Sequence, residues 1–100
     1  MTITSLLSTE ENVLTIGIKG RFDFSSHQSF SQAYEGKGEN ISHYRLDMRD
    51  VTYLDSSALG MLLLLRDYTK NGAKISILNC SDDVKKIFEI SNFKQLFDIV

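Results

Sequence analysis

Residues 44–78 hold a short β-rich segment, a leucine-rich helical segment and a second short β-rich segment, in that order. This alternation constrains the fold more than any other feature. Two strands joined through a helix lie parallel in one sheet, with a right-handed crossover. Tyr44 to Met48 reads as the first strand, because Tyr44, Leu46 and Met48 alternate with Arg45 and Asp47. Arg49-Asp50 is expected to break it, and Val51 to Leu54 leads toward the helix. Ser57 to Lys70 is the expected helix, rich in leucine and stopped by Asn71-Gly72. Lys74 to Leu78 is the next strand.

The flanks extend the pattern. Residues 2–7 and a segment carrying Val13, Ile16 and Ile18 are β-rich, and Thr9-Glu10-Glu11-Asn12 separates them as a polar turn. They predict a hairpin over 2–19, with Gly20 ending its second strand and Gly20 to Asp23 as a short connection. Ser25 to Glu35 is expected to be helical, with Phe30, Ala33 and Tyr34 on one face. Gly36-Lys37-Gly38-Glu39-Asn40 is a loop signal. Ser81 reads as an N-cap, followed by Asp82 and Asp83 in a first turn that favours negative charge. Val84, Ile87 and Phe88 form that helix's apolar stripe, and Asn92 is its expected left-handed stop. Phe93 to Val100 closes the chain, with a last short strand. The order is β-β-α-β-α-β-α-β. It predicts an α/β fold with a mixed sheet: the first strand pair antiparallel, the remainder largely parallel, helices packed on it. At 100 residues the expectation is a single domain over 1–100.

Charge and motifs narrow the function. A net charge of −2 gives no general reason to expect nucleic acid or an anionic membrane as partner. The single cysteine, Cys80, has no internal disulfide partner, which suits a reducing compartment. The start, MTITSLLSTEEN, does not read as a signal peptide. The longest apolar run, Met61 to Leu65, is far short of the roughly 20 residues of a membrane span. A cytoplasmic, monomeric protein is expected. His27 and His43 stand apart, with Cys80 they make no metal-ligand spacing, and they read as surface or packing residues. The chain has no glycine-rich phosphate cradle, and Asp-Ser-Ser-Ala-Leu-Gly is not the Gly-x-Ser-x-Gly elbow. The expectation is a protein without catalytic residues, metal or cofactor.

Asp55-Ser56-Ser57 stands directly before the leucine-rich helix. Either Asp55 or Ser56 explains itself as a cap satisfying the orphan amides of a helix start. One cap needs one residue, however, and three capping-type residues stand in a row. Their place, a turn from the carboxyl end of a parallel strand into a helix, is where open α/β sheets put their sites. On a helical wheel Ala58, Met61, Leu62, Leu64, Leu65 and Tyr68 gather on one arc, expected to face the sheet. Leu59 and Leu63 fall on the opposite side. Ser56, Leu59 or Gly60, Leu63 and Asp67 then form a ridge. It is either covered by a neighbouring element or left open as a docking ridge that begins at the serine.

Leu46-Asp47-Met48-Arg49-Asp50-Val51, followed by Leu54-Asp55-Ser56-Ser57-Ala58-Leu59-Gly60, resembles the signature of STAS domains, the bacterial anti-sigma-factor antagonists and their relatives. Gly20-Arg21-Phe22-Asp23 resembles the family's Gly-x-x-Asp turn, and Val84 to Phe88 with Ser91-Asn92-Phe93 its third helix and that helix's end. Ala58 stands where many members carry glycine, and the chain stops at Val100, so the C-terminal helix of longer members is expected to be short or absent. The resemblance implies a non-enzymatic binding switch. In such antagonists the serine after the aspartate is phosphorylated by a partner kinase, often an anti-sigma factor of GHKL type, and a PPM-type phosphatase removes the phosphate. Carried onto this chain, the acceptor is Ser56 with Ser57 as runner-up, and Asp23 and Asp55 are the acidic residues beside it. The unphosphorylated form would bind its partner and phosphorylation would release it. The resemblance leaves open whether the output is a sigma factor, a biofilm regulator, a secreted-signal pathway or a transporter. A constitutive STAS adaptor, as in lipid-transport complexes, is the alternative within the family. A carrier protein bearing phosphopantetheine on the serine is the alternative outside it, opposed by the β-rich residues 2–19 and 74–78.

Overall fold

The first two strands, β1 (Thr2–Ser8) and β2 (Val13–Phe22), form an antiparallel hairpin around a polar turn in which Asn12 takes a left-handed φ of 58°. The computed structural model describes residues 2–37, 40–70 and 72–100. Within them the chain continues as a 3-10 turn (Phe24–Ser26), α1 (His27–Tyr34), β3 (His43–Leu54), α2 (Ser56–Thr69), β4 (Lys74–Leu78), α3 (Asp82–Ile90), a second 3-10 turn (Phe93–Gln95) and β5 (Asp98–Ile99). The described residues form one five-stranded sheet in the order β1-β2-β3-β4-β5. β1 and β2 pair antiparallel, and every later neighbour pairs parallel. The α/β architecture and mixed sheet expected from the sequence are present.

Strand parity decides which face is covered. Leu14, Ile16 and Ile18 of β2, Tyr44, Leu46 and Met48 of β3, and Ile75 and Ile77 of β4 are buried in one cluster with Phe30, Leu62, Leu65, Val84 and Phe88 of the helices. The intervening strand residues Arg45 and Lys74 are exposed. Leu46, Ile16, Ile77, Leu62 and Phe88 are sealed from solvent, and each such side chain contributes about 1.5–3 kcal/mol of hydrophobic stabilisation.

Several expectations change. Gly20 does not end β2, and Arg49-Asp50 does not break β3. The pairs Gly17↔Asp47 and Lys19↔Asp50, then Gly20↔Val51 and Arg21↔Tyr53, show β3 gaining one extra residue at each of two bulges. Each bulge absorbs the residue that spoils the alternation, so the buried positions step from Met48 to Val51 to Leu54. Gly20 allows the second bulge by adopting φ 92°, a conformation glycine takes without a Cβ clash. The helix expected over Ser25–Glu35 divides into the 3-10 turn and α1, because Asp23 caps the turn first. On α2 the buried stripe is Ala58, Met61, Leu62 and Leu65, narrower than the expected arc. Leu64 and Tyr68 are about half exposed at its flank, where the Tyr68 ring meets Tyr34 of α1 edge-on at 5.1 Å. Leu59, expected on the polar side, is half-buried against the core. The expected Gly38-Glu39 portion of the loop and Asn71 of the helix stop lie outside the described residues. Lys70, at φ 53°, is the left-handed C-cap of α2.

Candidate functional site

The carboxyl ends of β2 and β3 finish side by side, with Phe22 paired to Leu54. Both residues are buried, so the chain turns upward from the core at the same level in both strands. The next residues are Asp23 and Asp55, and each caps the helical segment that it precedes. Asp55 is the N-cap of α2: its Oδ1 accepts from Ala58 N at 3.1 Å. Asp23 caps the 3-10 turn: its Oδ1 accepts from Ser25 N at 3.0 Å and from the Ser25 hydroxyl. In return Ser26 Oγ accepts from Asp23 N at 3.2 Å, which completes a capping box. The Ser25 hydroxyl, supported by the Ser25 amide and Arg21, holds the Asp23 carboxyl below its usual 3.8 against the opposing effect of desolvation.

Capping by Asp55 settles which residue starts α2. Ser56 becomes the first helical residue, one position earlier than expected, and it is exposed. Its hydroxyl makes no hydrogen bond among the described residues, and the cap does not need it. Ser57, the second residue, is half-buried. The site therefore presents a primary alcohol at the head of a 14-residue helix, directly after the capping carboxylate of Asp55, while Asp23 caps the turn that follows the paired strand end.

Below Ser56 runs an open ridge. Gly60, Leu63 and Asp67 are exposed, and with Ser56 they follow one side of α2 at spacings of four, three and four. Leu59 leaves this ridge, and Gly60 occupies its place. A Cβ built on Gly60 would meet nothing within 4 Å. Beside the ridge, Leu64 and Asp67 line an open cleft of about 280 Å³ against His27, Tyr34 and Tyr68.

The structure adds three rim residues that sequence reasoning missed. Phe24 is 76% exposed and stacks with His27 at 6.3 Å between ring centroids. Tyr53 is 41% exposed, and the Arg21 guanidinium carbon lies 4.0 Å from its ring centre. Arg21 Nε also bonds Asp23 Oδ2 at 3.3 Å. A large aromatic residue inside the polar stretch Asp23-Phe24-Ser25 was the available signal for Phe24. Arg21 and Tyr53 gave none, because their contact depends on the strand register.

Three comparisons place this geometry among known proteins. The sequence model of the STAS domain matches residues 6–100. A STAS-domain containing protein of Pseudomonas aeruginosa is 56% identical over 100 residues, covering 99% of both chains. The anti-sigma-B factor antagonist of Bacillus subtilis is 26% identical over 100 residues, covering 99% of this chain and 92% of its own. The solved structure of the anti-sigma factor antagonist SpoIIAA in its unphosphorylated form superimposes with a TM-score of 0.73 at 14% identity, covering 99% of this chain and 87% of that one. SpoIIAA of Bacillus in the phosphorylated form superimposes with a TM-score of 0.67 at 18% identity, covering 99% of this chain and 91% of that one.

Proposed function

The chain belongs to the STAS domain family, and from that premise we propose that it is a protein-binding regulator switched by phosphorylation of Ser56. The observation that carries the proposal is the exposed Ser56 hydroxyl, which the cap of α2 leaves unused, at the head of the Ser56–Gly60–Leu63–Asp67 ridge. Gly60 supports it. Glycine inside a helix costs about 0.5–1 kcal/mol relative to alanine, and nothing in this chain's own packing requires it there. A close-fitting partner surface accounts for the missing side chain. The similarity to an anti-sigma-B factor antagonist, and to a protein solved with and without phosphate, supports the same reading.

In this reading the protein acts as a single-domain monomer in the cytoplasm. Its partner is an anti-sigma factor or a related serine kinase of GHKL type. Ser56 Oγ attacks the γ-phosphorus of the kinase's ATP; the bond to the ADP oxygen breaks, and the hydroxyl proton leaves to a base on the kinase. A PPM-type phosphatase reverses the modification by hydrolysis. Asp23 and Asp55 shape the acceptor's surroundings, Ser57 is the secondary acceptor, and Leu63 and Asp67 contact the partner.

Phosphoserine adds about −1.5 to −2 charge. At the amino end of α2 that charge gains roughly 0.3–1 kcal/mol from the helix dipole, offset by repulsion from Asp23 and Asp55. The fold therefore tolerates it. A docked partner meets a bulky dianion at the head of the ridge, and every 1.4 kcal/mol of penalty weakens binding about tenfold.

Intact mass of the chain purified from its own host, with fragmentation across residues 45–66, tests the proposal. An addition of about 80 Da on Ser56 is expected. Ser56→Ala then holds the partner constitutively, and Ser56→Asp releases it in part. An unmodified chain under all growth conditions that still holds one stable partner would instead identify a constitutive adaptor. An addition of about 340 Da would identify a carrier protein.

A further inference from the structure

The two chain segments that meet at Ser56 carry a single lysine or arginine. Arg21 is the sole lysine or arginine within residues 20–35 and 50–65, the segments that build the rim and the first turns of α2. The strand register sets it opposite Tyr53, three residues before Ser56. Arg21 pairs with Tyr53 and Phe22 with Leu54, so Asp23 and Asp55 follow at one level and Ser56 comes next. The 3-10 turn after Asp23 in turn contacts α2.

Arg21 is also oriented. Its Nε is held by Asp23 Oδ2 at 3.3 Å, and its guanidinium carbon lies 4.0 Å from the Tyr53 ring centre. Its side chain is 62% exposed, and its two Nη groups make no hydrogen bond among the described residues. A carboxylate on one edge and an aromatic face beneath restrict the rotamers, so less entropy is lost when the Nη edge takes a ligand. That edge carries paired N–H donors in the geometry that suits phosphate oxygens.

We propose that Arg21 is the intramolecular receptor for a phosphate on Ser56, with its Nη groups on the phosphate oxygens and its Nε still on Asp23. The inference rests on Ser56 being the acceptor. Its consequence is that phosphorylation changes the rim twice. It places a dianion at the head of the ridge, and it occupies the Nη edge of an arginine that the unmodified protein leaves open beside Tyr53. Arg21 also offsets the repulsion between the phosphate and the carboxylates of Asp23 and Asp55.

The test uses full-length protein with phosphoserine installed at position 56 during translation, so that no kinase is needed. Phosphorus NMR follows the second ionisation of the phosphate, ordinarily near 6. With Arg21 present it is expected to fall about half a unit or more below the value in Arg21→Gln, since a paired cation favours the dianion. The difference should shrink in about 1 M salt, as for any solvent-exposed pair. Arg21→Lys keeps the charge without the fork and is expected to lie between the two. Amide spectra of all three proteins check that the fold is retained. Equal ionisation in the parent and in folded Arg21→Gln would overturn the inference, as would a lysine variant indistinguishable from the glutamine one. Failure to find phosphate on Ser56 in the native host bears on the proposed function alone, because the installed phosphoserine still reads out Arg21.

Discussion

Gly60 and Asp55 lie five residues apart along α2 and its cap, and they carry opposite expectations. Gly60→Ala should stabilise the isolated protein by about 0.5–1 kcal/mol, because the helix gains propensity and the new methyl meets open space. Partner binding should weaken in the same variant if a surface docks closely over the ridge. Urea denaturation and recovery of the partner from host lysate read the two effects separately. A variant that gains stability and loses no binding would remove Gly60 from the interface. Asp55→Ala should cost about 0.5–2 kcal/mol, since Ala58 N loses its acceptor. Thermal melting reads this as a fall of roughly 4–8 °C per kcal/mol for a domain of this size.

The two sides of α2 differ in burial. Leu62 is sealed against the sheet, and Leu63 is 41% exposed on the ridge. Leu62→Ala should destabilise by about 2–5 kcal/mol, the usual cost of a cavity at a buried leucine. Leu63→Glu should lower the melting temperature little and weaken the partner complex, because a carboxylate replaces an apolar contact. A large loss of stability in Leu63→Glu would place that side chain in the core. The pair is informative because the two residues are neighbours in sequence, so only their direction on the helix differs.

At the scale of the whole molecule, several titrating groups set a pH window for stability. Burial, with Lys74 and Arg45 nearby, holds His43 below its usual 6.5, while Asp98 opposes the shift. As pH drops past about 6.5 the unfolded chain binds this proton first, so stability falls until folded His43 is itself protonated. Asp47 is also held below its usual 3.8. Desolvation opposes this, but bonds from Asn79 and the Arg49 amide, with the charges of Arg49 and Arg45, outweigh it. Its contribution is present above about 3.8 and is lost as pH falls through the folded value. Burial raises the Cys80 thiol above 9.0 and the Tyr34 and Tyr44 hydroxyls above 10.0. Their contributions are present below those values and are lost as pH climbs through the folded ones. Stability should therefore be flattest between about pH 7 and pH 9. Chemical denaturation across pH checks this. His43→Gln should flatten the decline that begins below about pH 6.5, where one proton contributes at most about 1.4 kcal/mol per pH unit. Parallel profiles for parent and variant would assign the decline to other groups.

The element order, the mixed pairing of the sheet, the N-cap at Ser81, the left-handed stop at Asn92 just after the Ser91 C-cap, and the place of Ser56 at a strand-to-helix turn are all legible in the amino-acid sequence, apart from Ser91 itself. They follow from local causes: alternation of apolar residues, helical spacing, and residues whose side chains or left-handed φ suit a helix end. The ends of β2 and β3 are not legible there. Gly20 and Arg49-Asp50 look like breaks until the partner strand shows them to be bulges, and a bulge is defined by pairing between strands. Leu59 and Gly60 were likewise alternatives on the wheel. Packing chose, turning Leu59 toward the core and leaving Gly60 on the ridge. Local sequence offers both Asp55 and Ser56 as caps, and the geometry of the turn gives that role to Asp55 and frees the serine. The contact of Arg21 with Tyr53 across 32 residues of chain exists only because two parallel strands align them. Short-range patterns are written in neighbouring residues, whereas register, exposure and the charges around Ser56 arise when distant segments are brought together.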